Sequence, residues 1–332
     1  YYMTNYTCEY CRAILERAME GGYNFLDGLA GVDACAMMNR AMENIELLEL
    51  IDKEGFFVSH VDVPYKANED AVEHYAQQIQ LKVLNKLEGN LGVDISEDSM
   101  IEAVKIHNEV ARLITEIGEF RKEDNPPITG YEFHILNLVS YVCPKYLIVD
   151  KLRETLEEVR HREPDEVKSF RARVVIVGSE IDDPDLTRLI EDSGALIVAD
   201  RFCFGSFPGR QEIVLKEGED VLHSICRQYL QQSLCPRYVC HDKVNQRRDF
   251  AEDLYHDFKA DGIIYEQIKF CDYWAYERPL VSHIMTEERG IPTLSIDRPY
   301  MSRTSGQLRT RVQAFVESIE IKRINQTNEG RS

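Results

Sequence analysis

"RVVIVGSEIDDPDLTRLIEDSGALIVAD", residues 173–200, is the stretch on which the fold turns. Its first segment, 173–180, is a continuous apolar run, the signature of a strand buried on both faces rather than of one with a wet side. Asp183-Pro184 then opens a helix, because proline's fixed φ suits the first helical turn. Residues 195–200, "ALIVAD", form a second buried strand. Working outward, "GIIYEQIKF" (262–270) and "IPTLSID" (291–297) read as two more, with helices near 219–231, 243–259, 275–288 and 306–320. Apolar strands alternating with helices specify an α/β fold with a doubly wound parallel sheet.

The N-terminal part repeats the alternation on a smaller scale. Residues 12–20 are helical, 24–35 hold a short apolar strand ending at Cys35, and "FFVSHVDVP" (56–64) is a second strand closed by Pro64. Strand, helix and strand in that order predict a parallel unit. Residues 69–88 and 97–122 place apolar side chains at three- and four-residue spacing, "NPPITG" (125–130) interrupts them, and a third helical region runs to about 162. At 332 residues the chain exceeds what one core usually supports. The expected architecture is two Rossmann-like doubly wound parallel-sheet domains with a helical insert or linker. The N-terminal α/β domain takes 1–65, the helical segment 66–168 and the C-terminal α/β domain 169–332.

A net charge of −19 argues against nucleic acid and anionic membranes as partners, since both carry the protein's own sign. No apolar run reaches the length of a membrane span, and the first residues lack the layout of a signal peptide, so a cytoplasmic protein is expected. The chain starts abruptly before Cys8, so further residues are expected upstream. P-loop, G-x-G-x-x-G, H-E-x-x-H and G-x-S-x-G motifs are all missing, which argues against nucleotide hydrolysis by this chain itself.

Nine cysteines, at 8, 11, 35, 143, 203, 226, 235, 240 and 271, point to buried thiols or metal ligands rather than a disulfide framework. Parallel sheets carry their functional loops at the carboxyl ends of strands. Cys35, Cys203 and Cys271 lie at or near such ends, and Cys8 opens the first helix, where the helix dipole stabilises a thiolate. Cys8 and Cys11 form a C-x-x-C pair that also suits half a zinc site, with Cys235 and Cys240, which have His241 beside them, as the other half. For each cysteine taken singly, a small buried core residue is the competing reading.

Five blocks, "CEYCRAILERAMEGGYNFLDGLAGVDAC", "FFVSHVDVP", "GSEIDDPDLTRLIEDSGALIVADRFCFGS", "KADGIIYEQIKFCD" and "SGQLRTRVQAF", together resemble the 2-hydroxyacyl-CoA dehydratase and benzoyl-CoA reductase family, in order and over nearly the whole length. The resemblance implies a heterodimer of two related subunits, each holding an iron-sulfur cluster through three cysteines. Carried over residue by residue, the ligands are Cys8, Cys35 and Cys271, with Cys11 an alternative to Cys8 or a bystander. Ser305, Gly306 and Gln307 match the family's helix-capping segment, expected near substrate or cluster. Three thiolates would hold three irons of a [4Fe-4S] cube and leave the fourth site open or with a non-protein ligand. On this reading Cys271 ends a buried strand to clamp the cluster between domains, and the aromatics that follow keep it dry.

The resemblance implies an acyl-CoA enzyme that takes low-potential electrons from a separate ATP-hydrolysing iron-sulfur activator. The "IKFCDYWAYERPLVSHIM" neighbourhood, residues 268–285, looks closer to the benzoyl-CoA reductase branch, which reduces an aromatic acyl-CoA. A 2-hydroxyacyl-CoA dehydratase, eliminating water through a ketyl radical, is the alternative, as are a non-catalytic partner subunit with an auxiliary cluster, a double-cubane protein and a zinc-bound structural protein. Tyr273, Trp274 and Tyr276 are read as packing ahead of substrate contact, and His60 and His283 as structural. Glu266 is either a buried proton carrier or a paired carboxylate. Glu277 and Arg278 are expected to pair along their helix. Cys203 matches no ligand position.

Overall fold

A computed structural model describes residues 2–33, 35–164, 170–206, 211–238, 240–300 and 305–329. The chain divides into two compact units, one made of 1–105 with 213–238, the other of 106–212 with 239–332. The helical stretch expected at 66–168 is thus shared between them, and a later segment returns to the first unit.

The first unit contains β1 (Gly28–Val32) and β2 (Phe57–Val61), paired in parallel with Gly28 opposite Phe57 and Val32 opposite Val61. Helix α1 (Glu9–Met19) precedes β1, and α2 (Ala36–Leu47) makes the crossover to β2. The two helices share an apolar cluster of Leu15, Ala18, Ile45 and Ile51. Helix α3 (Glu69–Ile79) runs through a π turn at Gln80–Leu84 into α4 (Asn85–Leu91). Asn68 caps α3 by accepting from the Ala71 amide. Ala71, Val72 and Ala76 of α3 pack on Leu222, Cys226 and Leu230 of α9 (Val221–Gln231).

The second unit is built on four parallel strands, β3 (Ala172–Gly178), β4 (Ala195–Phe202), β5 (Gly262–Ile268) and β6 (Thr293–Arg298), in the order β4-β3-β5-β6. Alternation along β3 explains why its sequence is apolar throughout. Val174 and Ile176 face one cluster, with α8 (Asp185–Asp192) and α12 (Gly306–Glu329), while Val175 and Val177 face another, with α10 (His241–Asp257) and α11 (Asp272–His283). Helices on both faces of a parallel sheet are the doubly wound arrangement. A separate helical layer of α5 (Glu97–Glu119), α6 (Gly130–Val142) and α7 (Lys145–His161) has its own apolar cluster, including Ile114, Ile117, Phe133, Leu152 and Leu156. Thr129 and Glu132 form a reciprocal capping box at the start of α6. Among the described residues no helix is long and apolar enough to cross a membrane.

The chain passes from β3 to β4 on one side and then to β5 on the other, so connections leave the carboxyl ends of β3 and β5 in opposite directions. That is the topological switch point at which open α/β sheets bind ligands. Cys271 follows the end of β5 there.

Candidate functional site

Each of the three expected ligand cysteines occupies the same local position, the N-cap of a helix. Cys8 caps α1, Cys35 caps α2 and Cys271 caps α11. Cys35 is the only one of the three whose sulfur receives a capping bond, from the Met38 amide at 3.3 Å. The unsatisfied amides and partial positive charge of a helix start favour a thiolate at each position.

In the first unit the fold brings three thiols together. Cys8 and Cys11 are buried one turn apart on α1, and the Cys11 thiol donates toward the sulfurs of Cys8 and Cys35. Those bonds, with burial, hold Cys11 protonated far above the usual thiol range. The hydrogen bond from Cys11 has the opposite effect on Cys8, whose thiol is lowered to about 7 against the pull of burial. Cys11 is therefore the proton-bearing centre of the group. The set sits at the carboxyl end of β1, because Cys35 follows that strand and starts the next helix. Sulfur donors suit a soft-metal or iron-sulfur centre by type. Among the described residues, no group of three or more His, Cys, Asp or Glu side chains is arranged around a common metal position.

In the second unit, Cys271 is reached through a tight bend. Phe270 has φ +67°, a left-handed conformation that a bulky residue adopts at a cost of about 1 kcal/mol or more. The Cys271 amide donates to the Ile268 carbonyl at 3.1 Å, and its own carbonyl accepts from Ala275 at 3.0 Å, which starts α11. Such strain persists only where the surrounding structure holds it in place.

Behind that bend lies a buried ionic group. Glu266 on β5 accepts from Arg298 Nε at 2.6 Å and from Ser179 Oγ at 3.0 Å, with both charged side chains buried. Glu266 is thus the paired carboxylate of the two readings. Arg298 has no place among the residues expected from sequence, although "DRP" directly after an apolar strand marks an arginine at a carboxyl edge.

The remaining expectations resolve individually. Glu277 and Arg278 do not pair with each other, because successive residues on a helix point about 100° apart. Glu277 instead forms a buried bidentate pair with Arg247 of α10, at 2.8 Å on both arms, while Arg278 donates to Gln267 at 2.9 Å. Of the aromatics after Cys271, Trp274 packs in the core between sheet and helices, whereas Tyr276 is 76% exposed. His60 bonds Glu46 at 3.0 Å, and His283 is exposed. Cys203 is exposed, with its amide on the Ser179 carbonyl at 3.1 Å. Cys235 lies in the first unit and Cys240 caps α10 in the second. Ser305 caps α12 through the Leu308 amide at 3.1 Å, as the capping match implied.

Comparison with known proteins places the chain as a whole. The family model described as 2-hydroxyglutaryl-CoA dehydratase, D-component, matches residues 1–319. The chain belongs to this family. It is 24% identical to the (R)-phenyllactyl-CoA dehydratase beta subunit of Clostridium sporogenes, across 96% of this chain and 82% of that one. It is 22% identical to one of the benzoyl-CoA reductase subunits of Thauera aromatica, across 96% and 80%. It is also 22% identical to the beta subunit of (R)-2-hydroxyglutaryl-CoA dehydratase from Acidaminococcus fermentans, across 96% and 82%. These relatives are subunits of multi-subunit acyl-CoA enzymes, so the family membership expected from the five sequence blocks holds.

Proposed function

We propose that this chain is the iron-sulfur subunit of an activator-dependent acyl-CoA enzyme and helps to place single low-potential electrons on a CoA thioester. The observation that carries the reading is the gathering of Cys8, Cys11 and Cys35 at the carboxyl edge of β1, with Cys271 in the equivalent strand-to-helix position after β5. Cys8, Cys35 and Cys271 are the proposed ligands of a [4Fe-4S] centre. When bound, such a centre supplies a one-electron reservoir with an open or non-protein fourth site. The chain's own residues supply the rest. The three helix starts favour thiolate at each ligand, Cys11 donates hydrogen bonds to sulfur, which tune potential, and the Phe270 bend fixes the direction of Cys271.

The relatives' names favour a place as one subunit of a multi-subunit enzyme, the beta member where the relative is a dehydratase. The related partner subunit and a separate ATP-hydrolysing iron-sulfur activator as electron donor are part of the proposal. The benzoyl-CoA reductase branch, expected from residues 268–285, is represented at 22% identity. A second reading, the 2-hydroxyacyl-CoA dehydratase, is favoured by the name of the matching family and by the relative at 24%. Both chemistries begin with an electron entering the thioester carbonyl, and that shared step is the proposed function.

The test is anaerobic purification with the related subunit encoded for it, assay of iron, acid-labile sulfide and zinc, and EPR of the reduced protein. Spectra are compared with no addition, with benzoyl-CoA and with a 2-hydroxyacyl-CoA. Iron and sulfide in equal amounts, with a spectrum altered by benzoyl-CoA, support the reductase; alteration by the hydroxyacyl thioester alone supports the dehydratase. Iron and sulfide with no response to either makes this an auxiliary subunit, and zinc without sulfide overturns the proposal.

A further inference from the structure

Among the described residues five arginines are buried, and three of them are matched by a buried carboxylate: Arg121 by Asp200 at 3.0 Å, Arg247 by Glu277 at 2.8 Å and Arg298 by Glu266 at 2.6 Å. Arg237 is different. It is 4% exposed, and among the described residues no carboxylate lies within salt-bridge distance of it. Its Nη2 donates to two backbone carbonyls, Val63 at 2.8 Å and Asp33 at 3.3 Å, and its Nε has no partner among the described residues. The guanidinium lies over the Tyr65 ring, 4.3 Å from its centroid, and near Tyr238 at 5.7 Å. Carbonyls and aromatic faces ease a buried cation without cancelling its charge.

Location gives this charge its meaning. Asp33 and Val63 stand just past the carboxyl ends of β1 and β2, the edge at which the thiols of Cys8, Cys11 and Cys35 gather. Two Cα steps separate Asp33 from Cys35, at most about 7.6 Å of chain, so Arg237 stands within roughly 13 Å of that ligand position. A buried cation with no salt bridge among the described residues, at the same strand edge as a set of thiols, is balanced when those thiols become a polythiolate metal centre.

We propose that Arg237 is the counter-charge of the iron-sulfur centre at the β1–β2 edge, and a positioning residue that ties the Asp33 carbonyl, two residues before Cys35, to the end of β2. The inference rests on the iron-sulfur reading above. A fixed positive charge favours the reduced, more negative state of such a centre, so Arg237 raises its reduction potential. Lysine keeps the charge but not the forked donors; glutamine keeps a donor but not the charge.

The test compares wild type, Arg237→Lys and Arg237→Gln, each purified anaerobically with the related subunit. Iron and sulfide are assayed, and the midpoint potential is read by EPR-monitored redox titration. Arg237→Gln should retain iron and shift the midpoint negative, lowering the reduced-to-oxidised ratio at a fixed potential several-fold to about tenfold, the order expected for one unit charge at this range. Arg237→Lys should restore most of the shift. Full iron with an unchanged midpoint in Arg237→Gln overturns the role of Arg237 and leaves the iron-sulfur reading intact. An equal shift in Arg237→Lys and Arg237→Gln overturns the charge argument. Wild type without iron and sulfide removes the parent reading instead.

Discussion

Gly178→Ala tests the packing of the second unit at its most sensitive point. Gly178 ends β3, and a Cβ placed there would lie 2.1 Å from Glu266 Oε1, 2.5 Å from its Cγ and 2.6 Å from its Cδ. Its φ lies outside the left-handed region, so alanine meets no left-handed backbone penalty and its three nearest neighbours are all atoms of this carboxylate side chain. Glu266 is 1% exposed. It yields only by leaving Ser179 and Arg298, which strands a guanidinium that is 3% exposed. Breaking a buried pair costs about 3–5 kcal/mol, and alanine recovers up to about 1 kcal/mol over glycine within a strand, leaving about 2–4 kcal/mol of destabilisation. Urea unfolding followed by far-UV circular dichroism should show the midpoint falling accordingly with little change in slope. Glu266→Ala should cost a similar amount, and adding Gly178→Ala to it should cost almost nothing more, because the clash has gone. Gly89→Ala is the control, since its Cβ meets nothing within 4 Å. A Gly178→Ala protein within about 1 kcal/mol of wild type would refute the placement of Glu266.

The other predictions concern ligands, titration and backbone. Cys8→Ala, Cys35→Ala and Cys271→Ala should each lower bound iron in the anaerobic complex, whereas Cys226→Ala, which removes a buried thiol pushed up to about 12 by desolvation, should not; equal iron in all four sinks the ligand set. Glu191 is raised to about 7 because burial outweighs the amides of Gly130, Tyr131 and Ile197 that it accepts from. A carboxyl raised on folding contributes stability below its unfolded pKa and loses it as pH climbs through the folded value. Wild type should therefore lose roughly 3 kcal/mol relative to Glu191→Gln between about pH 4 and pH 8 in urea titrations, and a pH-independent difference would show that the amides dominate. Glu49 holds φ +49° beyond the end of α2. Glu49→Gly should raise the thermal midpoint slightly, by up to about 1 kcal/mol of stability, and a drop would mean that the exposed side chain has an unrecognised partner.

Most of the second unit is legible in the sequence because burial on both faces leaves a local mark. In β3, Val174 to Val177 are apolar whichever cluster they face, so strand and sheet type follow from the run itself. The helix starts at Asp183-Pro184 and Ser305 are legible for a similar reason, since capping is written in neighbouring residues. Partner choice is not. Glu277 has Arg278 beside it in sequence and Arg247 thirty positions away, and only the packing of α10 against α11 selects the second. The division of the helical stretch between units depends on α9 returning to pack on α3, a contact that no local pattern encodes. Arg237 is easily overlooked because one arginine in "LCPRYVC" looks like a surface residue; the apolar and aromatic residues around it are the available signal.

Cysteine is a poor choice for an N-cap, and its use at three proposed ligand positions leads to the last prediction. Serine, threonine, aspartate and asparagine accept short bonds from the amides of the first turn, and losing such a cap costs about 0.5–2 kcal/mol. Neither Cys8 nor Cys271 makes a capping bond through its side chain. If these cysteines served only the fold, serine would serve it better. Cys271→Ser should accordingly stabilise the metal-free protein, by about 0.5–1 kcal/mol, because serine Oγ can reach the first-turn amides of α11. The same change should lower iron in the anaerobic complex, since a hydroxyl does not replace thiolate on iron. Opposite signs in the two measurements separate a ligand from a packing residue, which would change stability and leave iron untouched. If Cys271→Ser lowers iron and also destabilises the metal-free protein, loss of structure accounts for both effects, and Cys271 loses its claim to be a ligand.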